Sequence, residues 1–332
     1  MVGYIFGRIL QVVPLLIALS IVSFLVIELP PGDYLTSLIL RLEQSGKQLN
    51  DEEVLRLKKQ YGLDRPAVVR YSMWMWRILR DGDFGRSFTW QRPVAEVITE
   101  RIVLTMVISI ATLLFTWVVA VPAGIYSAVR QYSPFDYAAT FFGFIGLSIP
   151  NFLLALILMW LAFNYLDVAV TGLFSPEYAD SDWSLAKVGN MLSHIWVPIL
   201  VIGTAGTAGI IRVMRGCLLD ELRKQYVITS RAKGLAEARL LFKYPVRVAV
   251  NPLISTIGWL LPAIISGETI TAIVLNLPTS GPMLFQALLA QDTYLAASFV
   301  LILAFLTIIG TLISDLMLAW LDPRIRYEGV SR

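Results

Sequence analysis

The sequence predicts an all-α polytopic membrane protein with six transmembrane helices, and three observations carry that prediction. Of 332 residues, 57% are hydrophobic and only 15% charged, against about 25% charged in a soluble domain. The charges are also unevenly spread: segments 12–27, 102–129, 137–166, 188–211, 248–267 and 293–314 contain no Asp, Glu, Lys or Arg. Most of these runs reach the roughly 20 apolar residues that cross about 30 Å of hydrocarbon at 1.5 Å per residue. Finally, the bases of the short connections fall on one side. Arg8, Arg130, nine bases from Arg212 to Arg247 and three in the tail oppose Lys187 alone, which places both termini in the cytoplasm by the positive-inside rule.

Residues 1–29 form a short tail and the first span. The apolar core after Arg8 is long for a secretory leader, and Pro30-Pro31-Gly32-Asp33 is a poor cleavage site, so a retained helix is expected. Residues 30–101 make an outer loop whose twelve bases do not contradict the topology, because loops longer than about 60 residues cross regardless of charge. That loop reads as folded. Asn50 fits an N-cap, Glu53 completes a capping box, Leu49 staples onto Val54, and Leu57 and Tyr61 continue the face until Gly62. A second helix is expected over Val68–Leu79, where Trp74 and Trp76 suit a membrane interface.

Residues 102–321 hold the other five spans, and 322–332 a cytoplasmic tail. Gly143, Gly146 and Pro150 predict a kinked or closely packed third span. The small residues Gly203, Ala205, Gly206, Ala208 and Gly209 of the fourth predict close helix contact, read here as contact with a partner subunit. The acidic stretch with Glu177, Asp180 and Asp182 between these spans reads as solvated.

Several function classes are excluded. The single Cys217 rules out an intrachain disulfide and a cysteine metal cluster, and the single His194 rules out multi-histidine zinc chemistry. No GxxxxGK[ST] or GxGxxG turn is present. Energy from a nucleotide would therefore have to enter through another chain. A net charge of +3, with its bases beside apolar spans, argues against nucleic-acid binding. A stand-alone secondary transporter would be expected to carry ionisable groups within several spans, and these six runs carry none.

The cytoplasmic loop 212–251 is the most informative segment. Asp220 to Gly234 reads as one helix stopped at a glycine, and Leu235–Val250 as resumed helix with Leu235, Ala238, Leu241 and Phe242 on one face. An apolar ridge between basic flanks suits a groove on another protein.

Here a resemblance becomes specific. The run Tyr226-Val-Ile-Thr-Ser-Arg-Ala-Lys-Gly-Leu235, followed by Glu237, Lys243, Arg247, Ala249 and Pro252, resembles the EAA loop of binding-protein-dependent ABC importer permeases, within them the dipeptide/oligopeptide/nickel type. Other stretches resemble the same family: Gly82-Asp83-Phe84-Gly85-Arg86-Ser87, Pro122-Ala-Gly124, His194-Ile-Trp-Val-Pro198 and Leu321-Asp322-Pro323-Arg324-Ile325-Arg326-Tyr327.

The resemblance implies a type I ABC importer permease fold in a bacterial or archaeal cytoplasmic membrane. It implies a non-catalytic subunit that pairs with a second permease, docks two cytoplasmic ATPases that bind the ATP, and meets an extracytoplasmic solute-binding protein. The chain itself would hold no cofactor and no metal. The ATPase-coupling residues it implies are Tyr226, Thr229, Arg231, Ala232, Lys233, Gly234, Leu235 and Glu237. Arg231 and Lys233 would contact the ATPase, Leu235 would anchor, and Gly234 would supply a left-handed or close-packed turn.

Departures from the pattern bear on the solute. The last outer loop reads Leu277-Pro278-Thr279-Ser280-Gly281-Pro282, Ala272 stands where an acid is frequent, and Glu268 lies a turn earlier as a pathway candidate. Val248 and Tyr244 replace a frequent Asn and His. A di- or oligopeptide is the expected solute, with oligosaccharide the alternative.

Overall fold

The computed structural model describes residues 13–25, 39, 51–60, 64–166, 171–179, 181–255 and 269–321. Every regular element among them is helical, apart from one isolated bridge between Arg86 and Pro93. The helices used below are α1 (Val13–Leu25), α2 (Asp51–Gln60), α3 (Ala67–Asp81), α4 (Val94–Val129), α5 (Pro134–Ser148), α6 (Asn151–Leu161), α7 (Leu185–His194), α8 (Trp196–Leu222), α9 (Gln225–Ala232), α10 (Glu237–Lys243), α11 (Pro245–Ala249), α12 (Thr269–Val274), α13 (Ser280–Leu289) and α14 (Thr293–Leu321).

Among the described residues, three helical stretches are long and apolar enough to cross a membrane: Val94–Val129, Trp196–Leu222 and Thr293–Ser314. The pair α5 and α6 passes the same test together, but with a bend of 104° between them. This is the predicted kink of the third span carried to a full break. Pro150 offers no N–H and pushes Ile149 into the extended region, with φ −87° and ψ 122°, so α5 stops and α6 starts afresh. The fourth span also differs from its charge-free run. It begins at Trp196, after α7 has ended, and continues past Arg212 and Arg215 to Leu222. Absence of charge marks where a helix is lipid-compatible, and a helix that leaves the membrane keeps its hydrogen bonds in water.

The chain divides into two compact units. One comprises residues 2–105 and 279–306, and the other chiefly residues 106–278 and 307–332. In the first, Val94, Val97 and Ile98 of α4 pack with Met283 and Ala287 of α13 and with Leu295, Ala296 and Phe299 of α14. A second cluster joins Phe24 of α1, Trp74 of α3 and Ala297 of α14, and Ser20 Oγ lies 2.7 Å from the Tyr71 hydroxyl.

Helix α3 runs one residue before and two residues beyond the stretch read from the sequence. It closes at Gly82 in the left-handed region (φ +65°), whose N–H donates to Ile78 O while Asp83 N–H reaches Arg77 O. The Asp51–Gln60 helix is present, whereas Leu49, Asn50 and Gly62, which were to cap it, lie outside the described residues.

In the other unit, Ala120 and Ala128 of α4, Ile210, Met214 and Leu218 of α8, and Val246, Ala249 and Leu253 form the core. Small residues set the spacing. A Cβ on Gly124 would stand 2.8 Å from Met214 Cβ, one on Gly146 2.8 Å from Thr204 Cγ2, and one on Gly203 2.8 Å from Phe115 Cδ1. The fourth-span glycines Gly203 and Gly206 thus pack on Phe115 and Thr116 of the same chain, and Ala208 on Gly143. For these three positions this corrects the expectation that the stripe serves a partner subunit, while Gly209 has nothing within 4 Å of a built Cβ. A small-residue stripe reports close approach but not whose backbone approaches.

Candidate coupling site

The coupling segment begins where α8 ends. Expected as one helix from Asp220 to Gly234, it breaks at Arg223 and Lys224, the latter extended with φ −71° and ψ 147°. Neither residue is a helix breaker by propensity. The break accompanies the full burial of Val227, while Tyr226, Ile228, Thr229, Arg231, Ala232 and Lys233 stay on the surface.

Helix α9 ends at Gly234, whose φ is +78°. Nothing lies within 4 Å of a Cβ built there. Of the two reasons for glycine weighed from the sequence, the left-handed backbone therefore holds and crowding does not. Beyond the turn, α10 and α11 are separated at Tyr244 (φ −120°, ψ −79°), because Pro245 excludes helical geometry from the residue before it. The single helix expected over Leu235–Val250 is thus two short ones.

Two polar contacts shape the surface. Arg231 Nε donates to Glu237 Oε2 at 3.0 Å, and its Nη2 to Oε1, so the two residues clamp the Gly234 turn from either side. Hydrogen bonding to the guanidinium holds the Glu237 carboxyl below its usual range and raises Arg231. Both side chains remain half or more exposed, so the pair contributes little to stability. Its effect is to hold the turn in one shape. The Tyr226 hydroxyl donates to Glu221 Oε2, and burial followed by that bond pushes its pKa up.

On the buried side, Leu240 is fully enclosed and Leu241 packs against the core cluster, while Leu235 is half-buried. On the open side stand Ile228 (48% exposed), Phe242 (63%) and Val248 (44%). The face read from the sequence is therefore divided, since Leu235 and Leu241 turn inward and Phe242 outward. Lys224, Lys233, Arg239 and Lys243 of the same segment are exposed as well. Glu268 lies outside the described residues, and Ala272, where an acid is frequent, is buried on α12.

Two polar groups that sequence reasoning did not single out fix the ends of spans. Asp136, at 5% side-chain exposure, receives Arg215 Nε and Nη2, each at 2.9 Å, and Tyr132 N–H at 3.0 Å. This bidentate pair joins α5 to α8 two turns before the coupling segment. In the other unit Asp292, fully buried, accepts from Ser87 Oγ at 2.6 Å, Thr89 N–H at 2.9 Å and Leu295 N–H at 3.3 Å. It caps α14 and ties the Gly82–Ser87 loop to it. Gly85 in that loop has φ +93°, and its N–H is held by Asp83 Oδ1 at 2.8 Å.

Residues 120–327 match the model of the binding-protein-dependent transport system inner membrane component, and residues 1–111 that of the N-terminal part of such membrane components. The chain belongs to this family of importer permeases. The permease is 33% identical over 328 residues to the oligopeptide transport system permease protein AppB of Bacillus subtilis (strain 168), covering 98% of this chain and all of the relative. It is 29% identical to the dipeptide transport system permease protein DppB of Alkalihalophilus pseudofirmus, with 98% and 100% covered. It is 26% identical to the peptidoglycan transport system permease protein YejB of Agrobacterium fabrum, with 98% of each covered.

Membership gives the type I permease fold and a multi-pass inner-membrane location. It makes the chain a transport subunit of an ATP-driven importer, working with ATPase and solute-binding partners, and not itself an enzyme. The EAA-like loop, recognised from the sequence, is the segment built above.

Proposed function

We propose that this permease forms half of a translocation pathway for di- or oligopeptides, pairs with a second permease, and takes its drive from two cytoplasmic ATPases at Tyr226, Thr229, Arg231, Ala232, Lys233, Gly234, Leu235 and Glu237. The observation that carries the reading is the coupling segment itself. A helix of eight residues, turned by a positive-φ glycine and clamped by Arg231 and Glu237, leaves Ile228 and Phe242 exposed among bases. Such a knob is the size and chemistry that a groove on a partner takes up. The chain holds no nucleotide itself, and ATP stays on the partners.

Peptide as solute rests on the relatives, two of which are named as oligopeptide and dipeptide permeases. The peptidoglycan relative keeps sugar-containing solutes as a second reading. Both termini and the coupling segment are assigned to the cytoplasm of a bacterial or archaeal cell on the fourteen-to-one distribution of short-loop bases.

The test has two arms. Cysteine placed at Ile228 or Phe242, in a chain whose Cys217 is replaced by Ser, should cross-link to an ATPase subunit in the assembled complex. Proteoliposomes with the cognate binding protein should take up di- and tetrapeptides with ATP, and not oligosaccharides or metal chelates. Absence of cross-linking in an assembly that hydrolyses ATP would remove the coupling assignment, and uptake of oligosaccharide alone would remove the peptide.

A further inference from the structure

A cavity of about 650 Å³ opens in the unit that holds α3 and the Gly82–Ser87 loop. Its wall carries five bases, Lys59, Arg65, Arg70, Arg77 and Arg86, against a single acid, Asp64. The volume lies within the few hundred to one thousand Å³ of small-ligand sites, and an excess of four positive charges around a low-dielectric wall concentrates anions.

Pairing sharpens the point. Two other arginines of this unit hold carboxylates, Arg92 those of Glu96 and Glu100 and Arg80 that of Asp81. Among the described residues no carboxylate lies within ion-pair distance of Lys59, Arg65, Arg77 or Arg86. Arg65 Nη1 sits on the Met73 thioether at 2.7 Å, and Arg86 Nε and Nη2 both donate to the Gln91 carbonyl at 3.0 and 2.7 Å. A thioether and one neutral carbonyl are weak acceptors for guanidinium donors, which bind oxyanions best.

The helix itself indicates where the ligand comes from. At 100° per residue, Val68, Trp76 and Leu79 fall within one sector of α3, and all three are strongly exposed, at 78%, 62% and 75%. Arg70 and Arg77 project from the other side, roughly 100–180° away. With the apolar sector in the membrane interface, the basic sector turns to the outer aqueous phase.

We infer that this cavity is a binding site for a soluble, multiply charged oxyanion of carboxylate or phosphate type, held by the guanidinium groups of Arg65, Arg77 and Arg86. The site is separate from the coupling segment and does not depend on the transported solute.

The test titrates the full chain in neutral detergent with citrate and, separately, pyrophosphate, read by calorimetry and by thermal shift against sodium chloride of equal ionic strength. Saturable one-to-one binding is expected. Arg65→Gln and Arg77→Gln, both at exposed positions, should each weaken it by about tenfold or more, as loss of a charge-assisted hydrogen bond does. Arg80→Gln, outside the cavity, should leave it unchanged and shows that a lost surface charge alone is not the cause. No binding beyond the chloride control, equal loss in all three variants, or binding only when phosphatidylglycerol nanodiscs replace the soluble anions would each overturn the inference.

Discussion

Asp292→Ala should destabilise the unit containing α13 and the start of α14 by about 3–4 kcal/mol. The side chain is fully buried and serves three donors. The Ser87 hydroxyl, itself 1% exposed, loses its acceptor, at about 2 kcal/mol for a buried unsatisfied group. The Thr89 amide sits on an exposed residue and recovers water, so its share is under about 1 kcal/mol. Loss of the α14 N-cap adds about 1 kcal/mol. Asp292→Asn keeps one oxygen for Ser87 and Thr89 but turns an NH₂ toward Leu295 N–H, so about 1 kcal/mol is expected.

The two variants also separate charge from hydrogen bonding. Burial raises the Asp292 pKa against the opposing effect of its donors. A carboxyl whose folded pKa lies above its unfolded value binds more protons when folded, so its contribution falls as pH rises from the ordinary carboxylate pKa through the raised one. Stability should therefore decline with pH across that window in the native protein, and this part of the slope should vanish in Asp292→Asn. The assay is denaturant unfolding in mixed micelles, with limited proteolysis of residues 82–93 as a local probe. An alanine variant within about 1 kcal/mol of the native protein would refute the assignment of Asp292 as the anchor.

At Gly234, Leu should lose binding-protein-stimulated ATPase in the reconstituted complex while Asn retains most of it. Open space surrounds the position, and only the φ of +78° opposes a side chain, at about 1–2 kcal/mol for a residue other than Asn or Asp. Equal loss in both variants would mean that surface contact, not backbone, governs the site. Gly124→Ala should cost about 1–3 kcal/mol, because the new methyl would meet Met214 Cβ at 2.8 Å and the Ile211 carbonyl at 3.1 Å; thermal unfolding of the purified chain checks it. Asp136→Ala should cost about 2–3 kcal/mol, less than the 3–5 of a fully buried pair because Arg215 keeps 29% exposure. The Asp136→Arg, Arg215→Asp double variant should recover part of that loss in the same assay.

Most of the fold was legible where one physical signal dominates. Charge-free runs mark helices because the bilayer rejects charge, and α4 and α14 each contain one whole run and extend past it at one end. The Gly234 turn was legible for a different reason, since a glycine that ends a helix in the left-handed region does so whatever packs around it. Boundaries were less legible. Leu222, Lys224 and Tyr244 end or interrupt helices through the burial of Val227 and Leu240 and through Pro245, and burial is decided by residues distant in sequence. The same holds for Asp136 and Asp292. Each carried a local cue, Ser133-Pro134 three and two residues before Asp136 as a helix start, and Asp292 directly before a charge-free run. Their partners, Arg215 and Ser87, stand 79 and 205 residues away. The small-residue stripe of α8 was legible as close contact but not as contact with α4 and α5 of the same chain.

That last correction changes how force can pass through the subunit. If the glycines of α8 had faced another chain, a push on the coupling segment would be absorbed at a subunit boundary. Instead α8 is one uninterrupted helix of 27 residues, about 40 Å long. It is seated so tightly on α4 and α5 that no methyl fits at Gly124, Gly146 or Gly203 without a neighbour moving. Close-packed interiors resist compression and move as blocks. The Asp136–Arg215 pair adds a charged pin between α5 and α8 next to the coupling segment. Displacement of α9 by an ATPase would therefore carry α8 together with α5 and the adjoining half of α4, rather than bend α8 alone. The compliant point is the 104° break between α5 and α6, where Pro150 interrupts the hydrogen-bond ladder and leaves the two halves free to change angle.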